Sequence, residues 1–174
     1  MTNNTQFIKH YEPIHEPFCR FCRAITGNSD DAEDLIQDTI LNVIEGFDKI
    51  KDTDSFKSYL FSTASNLNKM KLRRQKFKAE FTDDEIANII DFKQNPESYT
   101  DFKLVHEKIL SMPKRTAEAL ILFHISDLSL EDIQKIQGGS LSGVKLRLKR
   151  GREKLRSMLE TKQHLQMAML LFTL

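Results

Sequence analysis

No stretch of this sequence is apolar for long enough to cross a bilayer. The C-terminal "MAMLLFTL" is apolar for eight residues, whereas a spanning helix needs about 20. The opening "MTNNTQFIKHYEP" lacks the apolar core of a secretory signal. Cysteine is scarce too: Cys19 and Cys22 stand three apart in "PFCRFCRAI". No second pair and no suitably spaced histidine cluster completes a four-ligand zinc site, and both cysteines fall on an apolar helical face. They are expected to be reduced core residues of a cytoplasmic protein. A Ser/His/Asp group, paired carboxylates and a phosphate-cradling loop are all missing, so neither enzymatic activity nor a cofactor is expected. The five histidines (His10, His15, His106, His124 and His164) are scattered and read as surface or boundary residues.

Strand alternation is also missing. Apolar residues recur every three or four positions, which predicts an all-α chain. With 40% hydrophobic and 29% charged residues, it can bury a real core. Phe7, Tyr11, Ile14, Phe18, Phe21, Cys22 and Ile25 form a first stripe that ends at Gly27. Ser29 is the expected N-cap of a second helix, whose first turn carries Asp30, Asp31 and Glu33 at the positive end of its dipole. That helix would bury Leu35, Ile36, Thr39, Ile40, Val43 and Ile44. A third, from Asp54 or Ser55, carries Phe56, Tyr59, Leu60, Ala64, Leu67 and Met70 before becoming basic. Periodicity then lapses over 79–100, read as an acidic linker with at most a short helix at 83–90. It resumes from 101 into a second helical domain, 101–162, followed by an apolar tail, 163–174. The expected architecture is two small helical domains, 1–78 and 101–162, joined by the linker.

Net charge is almost absent, at +1, but the charges are segregated. Residues 28–54 hold nine acids against two lysines, and residues 79–107 hold eight acids against two lysines. Residues 69–78 hold six cations and no acid, and residues 144–156 hold seven cations and one glutamate. Such alternation fits a protein that meets a polyanion at two places and a basic surface elsewhere.

The stretch "LSLEDIQKIQGGSLSGVKLRLKRGREKLR" (128–156) reads as a helix-turn-helix. Ser129 opens a capping box with Asp132, and Leu130, Ile133 and Ile136 face inward. Gly138 supplies a positive φ at the turn. Ser140 caps the next helix, which turns Val144, Leu148, Gly151 and Leu155 inward and Lys145, Arg147, Lys149, Arg150 and Arg152 outward. A basic helix so placed can enter the major groove and hold phosphates. The other basic run, "NLNKMKLRRQKFK", ends a helix whose earlier turns are expected to expose Phe56, Tyr59 and Phe61. Cations beside rings suit melted DNA, although cations also suit a helix C-terminus by themselves.

Three blocks carry a resemblance: "DAEDLIQDTILNVI" (31–44), "FKSYLFSTASNLNKMKLRR" (56–74) and "MPKRTAEALILFHISDLSLEDIQKIQGGSLSGVKLRLKRGREKLR" (112–156). In order and spacing they resemble small two-domain sigma factors of the extracytoplasmic-function (ECF) group, initiation subunits of bacterial RNA polymerase. The resemblance spans roughly residues 7–160. It implies that Asp34, Leu35, Gln37, Asp38, Asn42 and Ile44 dock on a coiled coil of core RNA polymerase. It implies that the loop Asp48–Asp54 holds a base flipped from promoter DNA at the −10 element. Phe56 and Tyr59 would brace that fork, and Asn66, Lys69, Arg73 and Arg74 would contact its upstream edge. Ser142, Lys145, Leu146, Arg147, Lys149 and Arg150 would read the −35 element. An anti-sigma factor is a further possible partner, and no membrane insertion is implied.

Several positions depart from the family pattern. Tyr59 replaces a usual Trp, and Ser62 and Met70 replace residues that are often Arg and Asp. Gly139 takes the place of an apolar plug at the helix-turn-helix corner and Gln134 that of an alanine, which together predict a looser turn. Leu146 stands where a small polar residue is usual and could meet a thymine methyl. The tail beyond 160 lies outside the resemblance, free to pack on the second domain or to bind a partner. Two other functions compete: a stand-alone helix-turn-helix regulator, which has no need of the acidic 31–44 helix, and a module binding acidic proteins.

Overall fold

The structure is a computed structural model that describes residues 3–50, 52–75 and 96–159. Among the described residues every regular element is helical. The first bundle contains α1 (Asn3–Tyr11), a 3-10 turn (Glu12–Ile14), α2 (His15–Thr26), α3 (Ser29–Glu45), a second 3-10 turn (Phe47–Lys49) and α4 (Thr53–Gln75). The second contains α5 (Pro96–Leu110), α6 (Lys114–His124), α7 (Leu130–Gln137) and α8 (Leu141–Met158). The expected short helix at 83–90, most of the linker and the tail at 163–174 lie outside the described residues.

The starts and stops follow local chemistry, with small shifts from the sequence reading, α4 among them, which starts at Thr53 rather than Asp54 or Ser55. Gly27 ends α2 at φ +81°, but the cap of α3 is Asn28 rather than Ser29: the Asn28 side chain accepts from the Asp31 amide at 2.7 Å. Asn and Ser cap about equally well, so one residue's displacement costs nothing. The second bundle also starts earlier than residue 101, because Pro96 occupies the first position of α5, where its missing N–H is not needed.

Aromatic rings pack the centre of the first bundle. Phe56 meets Phe7 and Phe47 edge-on, with centroids 5.5 and 5.9 Å apart, and Phe18 meets Phe61 at 5.5 Å. Each phenyl group so buried contributes about 1.5–3 kcal/mol, with edge-to-face geometry adding to it. Cys19 and Cys22 are buried free thiols. In the second bundle α8 crosses α6 at Gly151, where a Cβ would come within 2.9 Å of Thr116 Cγ2. Any side chain at residue 151 would have to displace the Thr116 methyl or the Leu120 side chain.

The bundles share one continuous core. α4 lies against α7, and α2 against α6. Arg20 Nε donates to the Ile125 carbonyl at 2.8 Å, and His106 Nε2 donates to the Ala24 carbonyl at 2.7 Å. His106 is therefore a buried residue at the junction, not the boundary residue expected from sequence. Its apolar neighbours Val105 and Ile109 carry the inward stripe of α5, and a histidine between them can go either way.

Candidate functional site

Helix α3 buries Ala32, Leu35, Thr39 and Val43. Their spacing of three, four and four residues makes a single inward stripe. Asp34, Gln37, Asp38, Asn42 and Ile44 are left exposed on the other side. Leu35 is not part of that surface: it is a core side chain, and its expected role as a direct contact is corrected. Sequence reasoning missed Leu41, which is 61% exposed in the middle of the acidic and amide face. Its offset of seven from Asp34, two helical turns, is the signal that would have found it. Lys71 of α4 pairs with Asp31 at 2.5 Å and reaches Asp34 at 3.6 Å. Burial by itself would raise the Asp31 carboxyl, but hydrogen bonds from Lys71 and Asn28 outweigh it and hold the group below its ordinary range.

On α4 the expected ring surface divides. Phe56 and Phe61 are fully buried, so neither can brace exposed DNA directly. A three- and four-residue apolar spacing fixes a stripe but not which side of it meets the neighbouring helices. Tyr59 remains 41% exposed and lines a cleft of about 370 Å³ with Gly46, Ser55 and Ser62. Asn66, Arg73 and Arg74 are exposed and Lys69 is half-buried, leaving these polar side chains along the C-terminal half of α4. The loop before α4 closes on its own cap: Asp52 accepts from the Ser55 amide at 2.7 Å and from its hydroxyl at 3.0 Å. These bonds hold the Asp52 carboxyl below its usual range.

The helix-turn-helix forms as its spacing requires. The Ser129–Asp132 capping box is complete, and Ser140 accepts from the Gly143 amide at 3.1 Å. Ile133, Val144, Leu148 and Leu155 are buried, while Leu130 and Ile136 are half-buried. Ser142, Lys145, Leu146, Lys149 and Arg150 are exposed. Arg147 is half-buried and donates to Gln137 Oε1 at 2.6 Å. Arg152 leaves the outward face assigned to it, stacking 5.4 Å over Phe123 and donating to His124 Nε2 at 3.2 Å.

The turn is not the loosened corner that the sequence implied. Gly138 and Gly139 both have positive φ, +72° and +95°, and a Cβ on either would meet nothing within 4 Å. There is no hole for a plug at residue 139; the backbone there demands glycine. Gln134 braces the corner by donating to the Gly139 carbonyl at 3.0 Å, and its own carbonyl accepts from the Gly138 amide at 2.7 Å.

No three His, Cys, Asp or Glu side chains gather as metal ligands among the described residues, and no helix there is long and apolar enough to cross a membrane. An exposed acidic face on one bundle and a basic helix-turn-helix on the other fit the class of DNA-reading proteins with a second, oppositely charged surface. Comparison with known proteins narrows this class. Residues 10–78 match Sigma-70 region 2 and residues 102–155 match Sigma-70 region 4. The chain is 31% identical over 150 residues to RNA polymerase sigma factor SigV of Bacillus subtilis, covering 86% of this chain and 88% of that one. It is 28% identical over 139 residues to the ECF RNA polymerase sigma factor EcfG of Rhodopseudomonas palustris, covering 80% and 77%. The fold is shared with the sigma factor RpoE solved in complex with the anti-sigma factor NepR from Bartonella quintana. That match has a TM-score of 0.72 at 21% identity and covers 90% of this chain and 98% of that one. The chain belongs to the ECF group of RNA polymerase sigma factors. It directs promoter-specific transcription initiation in concert with core RNA polymerase.

Proposed function

We propose that the work of initiation is divided among three surfaces of this chain. Asp34, Gln37, Asp38, Asn42 and Ile44, with Leu41 at their centre, dock on a basic coiled-coil surface of core polymerase. Leu35 supports that face from beneath. Tyr59 and the 48–54 loop hold the melted −10 element, and Asn66, Lys69, Arg73 and Arg74 track its upstream edge. Flipping a base out of the duplex costs a few kcal/mol, which stacking on Tyr59 and hydrogen bonds in the cleft beside it offset. Phe56 fixes the helix that carries them. Ser142, Lys145, Leu146, Arg147, Lys149 and Arg150 read the −35 element. Residues 1–78 and 101–162 serve as the two working domains, in the cytoplasm and without catalysis of their own. An inhibitor of the anti-sigma class fits a chain whose fold is shared with a sigma factor solved in such a complex.

The observation that carries this reading is the exposed acidic and amide face of α3, with Leu41 at its centre and Ile44 near its C-terminal end. A basic partner with an apolar groove complements such a face. The test replaces Asp34 and Gln37 together by alanine and measures co-purification with core polymerase and run-off transcription. Both are expected to fall at least about tenfold, the equivalent of roughly 1.4 kcal/mol, while circular dichroism stays unchanged. Undiminished co-purification would remove α3 as the docking helix.

A further inference from the structure

Helix α8 turns to solvent a face that is polar except at its centre. Val144 and Leu148 are buried against the second bundle. Leu146 comes two residues after the one and two before the other, so it stands about 160° around the helix from both. It is the residue opposite the core, and it is 46% exposed. Ser142 and Arg150, four residues away on either side, and Lys149, three residues on, are its neighbours on that face. All three are exposed, as is Lys145.

Two arginines of the same stretch are held at the edges. Gln137, at the end of α7, donates through Nε2 to the Arg115 carbonyl at 3.0 Å and to Glu118 Oε2 at 2.9 Å. Both amide hydrogens are thereby committed, and Oε1 is left to accept from Arg147 at 2.6 Å. Arg115, Glu118, Gln137 and Arg147 all belong to the second bundle, and their network anchors Arg147 beside α7, on the flank of α8. Arg152 is turned onto the Phe123 ring. Neither side chain competes with Leu146 for the middle of the face.

A leucine in that place has one thing to offer a DNA groove. It has no hydrogen-bond donor or acceptor, and the apolar group displayed in the major groove is the thymine 5-methyl. Lys145, Lys149 and Arg150 draw α8 against phosphate. The N-terminal half of a recognition helix is the part that reaches base edges, and Leu146 lies in the second turn of α8. Set against guanine, adenine or cytosine, the same leucine strips water from a hydrogen-bonding edge and returns no bond, which penalises those bases. Attraction to a methyl and rejection of polar edges then act in the same direction.

We propose that Leu146 is a specificity-determining residue of α8: it packs on the 5-methyl group of one thymine in the −35 element, and this chain selects promoters that place a thymine there. The inference rests on the reading of α8 as the −35 helix and adds to it the base and the group that is read.

The test uses the full chain assembled with core polymerase. A −35 element is selected from promoters randomised at that element. Each thymine of the selected sequence is then replaced singly by uracil, which deletes the methyl and keeps the base pair. Promoter binding is measured for the wild type, Leu146→Ala, Leu146→Met and Arg150→Ala. One replacement is expected to weaken wild-type binding roughly fourfold, as for the lost burial of one methyl-sized group. Leu146→Ala, whose side chain stops at Cβ, should bind the thymine and uracil forms alike, with Tm unchanged because the side chain is exposed. Leu146→Met keeps an apolar side chain of similar volume and should retain the preference. A selected element without thymine, a wild type indifferent to uracil at every position, or a preference that survives in Leu146→Ala overturns the assignment. Arg150→Ala separates this failure from that of the underlying reading. If it weakens binding while uracil has no effect, only the role of Leu146 falls; if neither has an effect, α8 itself is removed from the −35 element.

Discussion

At residue 139 the local backbone, not the side-chain environment, decides what is tolerated. The resemblance to this class makes Gly139 look like a lost apolar plug. Its φ of +95° and the open space around it make it a conformational requirement. Gly139→Leu would fill no cavity and would force an L-residue into the left-handed region, at about 1–2 kcal/mol. The expected outcome is a fall in Tm of a few degrees, read by thermal denaturation. A rise in Tm would restore the plug interpretation. Gln134, read from sequence as a source of looseness, holds this turn through its hydrogen bond to the Gly139 carbonyl.

Element by element, the sequence revealed which residues share a helix better than which way the helix faces. The inward stripes of α2 and α8 were legible because cation-rich positions leave only one apolar side. On α4 Phe56, Tyr59 and Phe61 lie within six residues, and nothing local says that two of the rings turn in and one turns out. Neighbouring α1 and the Phe47 turn decide it by enclosing Phe56. The two rings therefore differ in what their removal does. Phe56→Ala should destabilise the first bundle by about 3–5 kcal/mol, seen in urea denaturation. Tyr59→Ala should leave the midpoint nearly unchanged and abolish run-off transcription from a double-stranded promoter, with partial activity on a premelted template. Equal loss of stability in both variants would contradict the division.

For the whole molecule, two histidines near the second bundle's core set a response to acid. Burial, against the hydrogen bond to Ala24, pushes the His106 imidazolium down. Burial and then the Arg152 guanidinium push His124 down to about 4. The unfolded chain protonates both near 6.5, so it binds more protons than the native state below that pH, and stability falls as pH drops from about 6.5 toward 4. Asp31 and Asp132 act in a lower window. Their stabilisation is present above the ordinary 3.8 and is lost only as pH falls through their depressed folded values. Chemical denaturation at pH 7.5 and pH 5 should show the loss, and His124→Gln should shrink it. A flat profile across that range would mean that the imidazoles are already solvated in the native state.

The sequence by itself determined the helices, the caps of the helix-turn-helix and the alternation of acidic and basic faces, though it missed the cap of α3 by one residue. Each of these follows from neighbours three or four residues apart. It also carried the family resemblance, because the docking and DNA-reading blocks are contiguous segments. Only the tertiary structure decided that Leu35 and Phe56 lie inside, that Leu41 lies outside and that Glu118 meets Lys69 across two bundles. Those outcomes depend on which surfaces of separate helices are brought together. The partners of Glu118 on α4, Ser65 and Lys69, are some fifty residues away in the chain, beyond the reach of any local spacing rule.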